Sequence, residues 1–317
     1  MTKVFIDGSA GTTGLRIHER IENRADIELI SIPSELRKDV KARKEAINSA
    51  DVAFLCLPDA ASVEAVTLVE SNVAVIDTST AHRCNDDWVY GFAELGLRER
   101  IKNTKRLANP GCHASGFIAL VQPLVKAGLI APDTSLSCFS VTGYSGGGKK
   151  MIGEYEAHDR PETFNSPRQY GLSQNHKHLP EIMKVCHLCE APLFSPVVDD
   201  FFEGMEVTIG FHTHFLQLPC GLPGDIDTDD FHMIFKKHYE NSKLIHLSPL
   251  SLEETNGLFL SANENAGKDS LTIHIAGNDD RVLVISTFDN LGKGASGAAI
   301  ECMNLMLGMP EETGLVI

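Results

Sequence analysis

From Lys3 onward the apolar positions alternate between strand and helix periods. Lys3–Asp7 reads as a strand, Thr12–Asn23 as a helix, Ile27–Ile32 as a strand and Val40–Ser49 as a helix. Val52–Leu57 is continuously apolar, as a strand buried on both faces requires. Ala60–Ser71 is again helical and Val73–Asp77 is a fourth strand. This order predicts a Rossmann-type α/β domain, a parallel sheet with right-handed crossovers. Leu107–Ala108 is a short apolar pair, and a long helix is expected over Ala114–Ala127. The pattern then changes. Ser135–Val141, Val197–Phe202, Glu206–Leu216, Leu271–Ala276 and Arg281–Phe288 are β-rich, with fewer helices between them. They predict an α+β domain with a largely antiparallel sheet. An amphipathic helix near Ala295–Leu307 is expected to pack back on the first domain, which divides the chain into 1–112 completed by 292–317, and 113–291.

Composition narrows the function classes. The chain has 317 residues, enough for about two domains, and 22% are charged, as in ordinary globular proteins. No run of about 18 apolar residues occurs, so no membrane span is expected. Met1–Asp7 enters a strand where a signal peptide would carry its apolar run, so a cytoplasmic protein is expected. The net charge of −15 argues against nucleic acid and anionic membranes as partners. It leaves a small anionic ligand open, because local donors decide such binding. The eight cysteines read as thiols rather than a disulfide frame.

The loop Gly8-Ser9-Ala10-Gly11-Thr12-Thr13-Gly14 follows the first strand and opens a helix. Glycines there let the backbone approach a pyrophosphate, and the helix end offers free N–H groups to it. The G-x-x-G-x-x-G spacing is not the commoner one, so the strand–turn–helix context carries the reading. Near the end of the second strand stand Ser31 and Ser34, with Arg37 and Lys38 close by, and no acid for a ribose 2′-OH. Hydroxyls and cations suit a 2′-phosphate, which predicts NADP(H).

Asn109-Pro110-Gly111-Cys112 sits at a loop-to-helix junction. A thiol at a helix N-terminus is favoured as thiolate, and the same amides can hold an oxyanion. Cys56, Cys138 and Cys302 read as small buried hydrophobes.

Four segments together resemble the N-acetyl-γ-glutamyl-phosphate reductases, in their shorter, type 2 branch. They are Gly8–Gly14, Asn109–Cys112, His176-Lys177-His178-Leu179-Pro180-Glu181-Ile182, and Asp289-Asn290-Leu291-Gly292-Lys293-Gly294-Ala295. The resemblance spans nearly the whole chain. It implies a semialdehyde dehydrogenase-like fold and a homotetramer or homodimer. It also implies an acyl-phosphate substrate, attacked by Cys112 and reduced with NADPH through a thioester. Aspartate-semialdehyde dehydrogenases share this architecture and cysteine chemistry, and an aminoadipyl-phosphate reductase is a further alternative. A non-catalytic NADP-binding regulator would keep the glycine loop and have no need of Cys112.

A thioester route needs an acid/base group, and histidine suits one near neutral pH. His176 and His178 alternate along a stretch expected to be extended, with Glu181 close enough to orient one ring. By resemblance this segment supplies the acid/base histidine, with His178 favoured over His176. Ser79 and Arg83, after the fourth strand, are expected with Asn109 at the substrate phosphate; the bland alternative is a structural turn with an exposed arginine. By resemblance Ser145 and Lys149 touch cofactor or substrate, and Asn290 and Gly294 approach the nicotinamide. Cys186-His187-Leu188-Cys189 is a lone pair, short of the two that structural zinc usually takes, so no metal is expected.

Overall fold

The apolar segments of the first third become β1 (Thr2–Asp7), β2 (Ile27–Ile30), β3 (Val52–Leu55), β4 (Ala74–Asp77), β5 (Val89–Tyr90) and β6 (Arg106–Ala108). They form one sheet in the order β2-β1-β3-β4-β6-β5, and every pair is parallel. The computed structural model describes residues 1–216, 226–250 and 259–317. These divide into two units, Met1–Gly111 with Ala295–Val316, and Cys112–Gly294.

In the first unit, α1 (Thr12–Ile21), α2 (Val40–Asn48), α3 (Asp59–Val66) and α4 (Arg98–Asn103) connect the strands. Ile17 and Ile21 of α1 and Ile300 and Met303 of α9 (Gly297–Met306) bury one face of the sheet against Val4, Ile6, Phe54 and Ile76. Ala46 and Ile47 of α2 cover Phe5 and Ala53 on the other. Burial on both faces is why β3 reads as an unbroken apolar run. The C-terminal segment is tied down by polar contacts. Arg24 donates to Asn304 Oδ1 at 2.7 Å and to Thr313 O at 3.3 Å, and Arg98 pairs with Glu311 at 2.6 Å.

In the second unit, β7 (Ser137–Gly143), β8 (Arg168–Gln169), β9 (Leu193–Asp199), β10 (Met205–His212), β11 (Ile245–Leu247), β12 (Leu271–Asn278) and β13 (Arg281–Phe288) form a sheet in the order β11-β12-β13-β10-β7-β9-β8. Its pairs are antiparallel except β7 with β9 and β11 with β12. α5 (Cys112–Ala127) lies on β10 and β13, flanked by α7 (Leu179–Cys186) and α8 (Thr228–His238), and α6 (Gly148–Tyr155) follows β7.

Two of the boundaries that depart from the sequence pattern bear on the site. α5 begins at Cys112 rather than Ala114, so the cysteine is the first helical residue. β9 begins at Leu193 rather than Val197 and runs through Pro196. The proline lacks an N–H, but its carbonyl still accepts from Tyr170 N at 3.0 Å.

The backbone of α5 rests directly on the sheet at Gly116. A Cβ there would lie 2.5 Å from Val207 Cγ2, 2.7 Å from Phe288 Cε1 and 2.9 Å from Ser286 Oγ. Gly116→Ala must push the helix off β10 and β13. The expected cost is about 1–3 kcal/mol of stability, read as a lowered midpoint in urea denaturation.

Candidate active site

β6 ends at Ala108, and Asn109-Pro110-Gly111 turns the chain into α5. The helix is almost wholly buried and apolar, and Cys112 stands half-buried on its first turn. Free N–H groups at a helix start favour a thiolate there. Gly294 lies against the cysteine: a Cβ on Gly294 would come within 3.1 Å of Cys112 Cβ. That close approach follows from a π-helical turn over Gly292–Ser296. Asp289 shapes the turn by accepting from Leu291 N and Gly267 N, each at 2.7 Å. Burial raises the Asp289 carboxyl above the usual range, against those backbone bonds.

The next residue, His113, points into the interior. Its Nδ1 meets Ser140 Oγ at 2.7 Å and its Nε2 meets Tyr170 Oη at 2.6 Å. The rings of His176 and His178 lie 5.6 and 5.7 Å from the His113 ring and 4.7 Å from each other. Phe194 closes the group, 5.3 Å from His113 and 5.1 Å from His176. Three imidazoles, a phenol and a phenyl ring thus cluster at the start of α5.

Burial governs the protonation of this cluster. It lowers His113 to about 3, helped by His176 and Lys177, and lowers His176 to about 4, helped by Lys177. Both rings are therefore neutral near pH 7. Burial, and to a lesser degree the charge of Cys112, raises the Tyr170 phenol well above its ordinary value. Burial also pushes Cys56 up to about 12 and raises Cys138 and Cys186, which makes these thiols inert. Cys189, the other half of the C-x-x-C, is exposed and free.

Several expected residues have hydrogen-bond partners within the chain. The His176–His178 stretch is not extended. His178 caps α7 in helical conformation, and its N–H donates to His176 Nδ1 at 3.2 Å. The missed signal was Pro180 with Glu181, a proline and an acid in a first helical turn. Glu181 is buried in that turn, three residues after His178. Asn290 was expected to reach toward a nicotinamide. Its Nδ2 donates to Ser145 Oγ at 2.9 Å and its Oδ1 accepts from Gly204 N at 2.8 Å, so it ties three loops together. Ser145 is buried in that contact, and Lys149 is exposed on α6.

In the first unit Arg83 is buried. Its Nε donates to Asn109 O at 2.8 Å and its Nη2 to Thr78 O at 3.1 Å. Ser79 Oγ donates to Asp77 Oδ2 at 2.8 Å, within a buried network that also takes Ser62 and His82. These side chains brace the loop after β4 against the segment leading to the cysteine. Asn109 Nδ2 donates to Ala295 O at 2.9 Å, while its Oδ1 is buried with no hydrogen-bond partner among the described residues.

The opening glycine loop fits a dinucleotide. Gly8 has φ +86°, and a Cβ there would lie 2.2 Å from Cys56 O; one on Gly14 would lie 2.6 Å from Gly8 O. Gly11 caps α1 with no side-chain bond, leaving its first amides to a ligand. Thr12 Oγ1 is buried there with no partner among the described residues. Asp7, just before the loop, is neutralised by Arg43 at 2.8 Å, which removes a repulsion from a pyrophosphate. Ala10 is exposed and Thr13 half-buried in the same turn. Ser31, Ser34 and Arg37 lie exposed beyond the end of β2, with Ser34 Oγ on Glu35 at 3.3 Å.

His113 and Tyr170 were not anticipated as site residues. The available signal for His113 was its polarity at the head of an otherwise apolar helix. Tyr170 carried none, because the β8–β9 pairing that presents it is a long-range contact.

Residues 3–104 match the semialdehyde dehydrogenase NAD-binding domain, and residues 112–290 match the semialdehyde dehydrogenase dimerisation domain. The N-acetyl-gamma-glutamyl-phosphate reductase of Brucella anthropi is 45% identical over 313 residues, covering 96% of this chain and 98% of its own. N-acetyl-gamma-glutamyl-phosphate reductase 2 of a Nostoc species is 42% identical, covering 99% of both. In fold, the chain is similar to aspartate semialdehyde dehydrogenase II from Vibrio cholerae, with TM-score 0.72 at 16% identity over 97% of this chain and 98% of that one. With the cysteine at the head of α5 and the glycine loop in place, these similarities make the chain a member of the N-acetyl-γ-glutamyl-phosphate reductase family, within the semialdehyde dehydrogenases.

Proposed function

We propose that this chain reduces N-acetyl-γ-glutamyl phosphate to N-acetylglutamate semialdehyde and phosphate with NADPH, through a thioester on Cys112, in arginine biosynthesis. The observation that carries this reading is Cys112 on the first turn of α5, beside a cluster of three imidazoles. The family relationship names the substrate.

NADP(H) is held by the Gly8–Gly14 loop, the α1 amides and Thr12. When bound, the dinucleotide supplies the hydride that reduces the thioester carbon. The chain's own residues do the rest. A neutral imidazole takes the Cys112 proton, and the thiolate attacks the acyl carbon. The bond to phosphate breaks, and the imidazolium gives its proton to the departing phosphate. The α5 amides hold the oxyanion formed at each addition. Between the two candidate rings, backbone geometry favours His178 as the base. His176 accepts the His178 N–H on Nδ1, which leaves its proton on Nε2 and makes that nitrogen a donor. Glu181, in the same first turn, orients His178. Arg83 and Asn109 act as braces for the segment before Cys112. Ser79, Ser145 and Asn290 likewise act by holding loops.

The second unit supports a homodimer. Phe139, Leu193 and Leu283 are 46%, 68% and 43% exposed and lie on one face of its sheet, as the β7, β9, β10 and β13 registers place them. A second copy of this face covers them, and pairing of dimers would give a tetramer. Among the described residues no helix is long and apolar enough to cross a membrane, and we place the enzyme in the cytoplasm.

Cys112→Ser should lower kcat by about a thousandfold or more while NADPH still binds, measured by cofactor fluorescence and turnover. Normal turnover in that variant ends the thioester scheme. Assays with aspartyl and aminoadipyl phosphates beside N-acetylglutamyl phosphate check the substrate. His178→Asn should cost about 10²- to 10⁴-fold in kcat, and His176→Asn clearly less; the reverse order would move the base to His176.

The lowered His176 value sets a pH trend in stability. The unfolded ring titrates near 6.5 and the folded one near 4, so the unfolded chain binds more protons between them. Stability from this group is present above pH 6.5 and is lost as pH falls toward 4. The urea midpoint should drop across that window, with a smaller drop in His176→Asn.

A further inference from the structure

His113 enters no step derived above, yet both of its ring nitrogens are engaged. Ser140 Oγ lies buried on β7, and among the described residues its one hydrogen-bond partner is His113 Nδ1 at 2.7 Å. The Tyr170 hydroxyl likewise has one such partner, His113 Nε2 at 2.6 Å. Each hydroxyl carries one proton, and a neutral imidazole carries one N–H. The chain of three groups thus has three protons for two hydrogen bonds, and one proton is left at an end.

If His113 donated from Nδ1, the spare proton would fall on Ser140, a fully buried hydroxyl with no second partner among the described residues. That leaves a buried donor unsatisfied, which is costly. If Ser140 donates to Nδ1, His113 Nε2–H donates to Tyr170 Oη and the spare proton belongs to Tyr170. Tyr170 is only partly buried, and Cys112 is the charged group that acts on its phenol. The spare proton can therefore meet a ligand held by the cysteine.

We propose that His113 is a positioning residue: held as the Nε2–H tautomer by Ser140, it frees the Tyr170 hydroxyl to donate to the oxyanion that forms when hydride adds to the Cys112 thioester. This rests on Cys112 being the nucleophile. When hydride adds to the thioester carbon, the C=O π pair moves onto oxygen. Tyr170 O–H donates a hydrogen bond to that oxyanion and keeps its proton. The oxyanion then re-forms C=O, the C–S bond breaks, and its electron pair returns to Cys112 as thiolate. Burial keeps both the Tyr170 phenol and the His113 ring neutral, with Cys112, His176, His178 and Lys177 the ionisable groups nearby. The chain thus presents a fixed dipole and moves no proton.

Three variants test it. Asn at 113 places its amide near the position of Nδ1 and can keep Ser140; Gln reaches the position of Nε2 and can keep Tyr170. Tyr170→Phe removes only the hydroxyl. Tyr170→Phe and His113→Asn should each lower kcat by about a hundredfold with KM for substrate within a few-fold. The double variant should be no worse than Tyr170→Phe alone, and His113→Gln should recover about tenfold over His113→Asn. Phosphate release without NADPH, one equivalent per Cys112, should keep its rate in Tyr170→Phe. NADPH binding and thermal melting check that each variant is folded. Equal defects in His113→Asn and His113→Gln, losses that multiply in the double variant, or a phosphate release slowed as much as kcat would each overturn the proposal. Cys112→Ser separates the two readings: if it is inactive, such results remove only the His113 role, and if it turns over normally the nucleophile itself is wrong.

Discussion

The contact on which the site depends is the close packing of α5 against its sheet. A helix can sit so near two strands only where it has no side chain, and Gly116 supplies that position over Val207, Ser286 and Phe288. Once the helix is seated, its first turn is placed as well. Cys112 then faces Gly294, which again lacks the Cβ that would crowd it, and His113 is driven inward toward Ser140. Two glycines far apart in sequence therefore set the position of one thiol.

Burial then does the electrostatic work. Charged imidazoles are disfavoured in this interior, so His113 and His176 stay neutral where free histidine would be partly charged. Neutral rings have distinct nitrogens, one donor and one acceptor. The hydrogen bonds from Ser140 and from the His178 backbone therefore carry information about direction as well as position. The remaining cysteines that burial touches are pushed the other way, so reactivity is confined by environment.

Polar side chains around the site work mainly on backbone. Arg83 holds the carbonyls of Thr78 and Asn109, Asn290 joins Ser145 to Gly204, and Asp289 gathers the amides of Leu291 and Gly267. Irregular loops bury N–H and C=O groups that no regular ladder satisfies, and these residues supply the missing partners.

What the sequence determined by itself was local. Apolar period and turn chemistry disclosed the parallel sheet, the β-rich second half, the glycine loop and the cysteine at a helix start, because each depends on residues within one element. The span of β13 and the place of Cys112 at the head of a helix were legible for that reason. Tertiary structure alone decided which polar groups meet. Tyr170 reaches His113 across 57 residues, and Asn290 reaches Ser145 across 145. The same long-range packing turned Arg83 inward and made the His176–His178 stretch the cap of a helix. A hydrogen bond between distant segments leaves no periodic trace in the chain, and burial, which keeps His113, His176 and Tyr170 neutral, exists only once those segments have closed together.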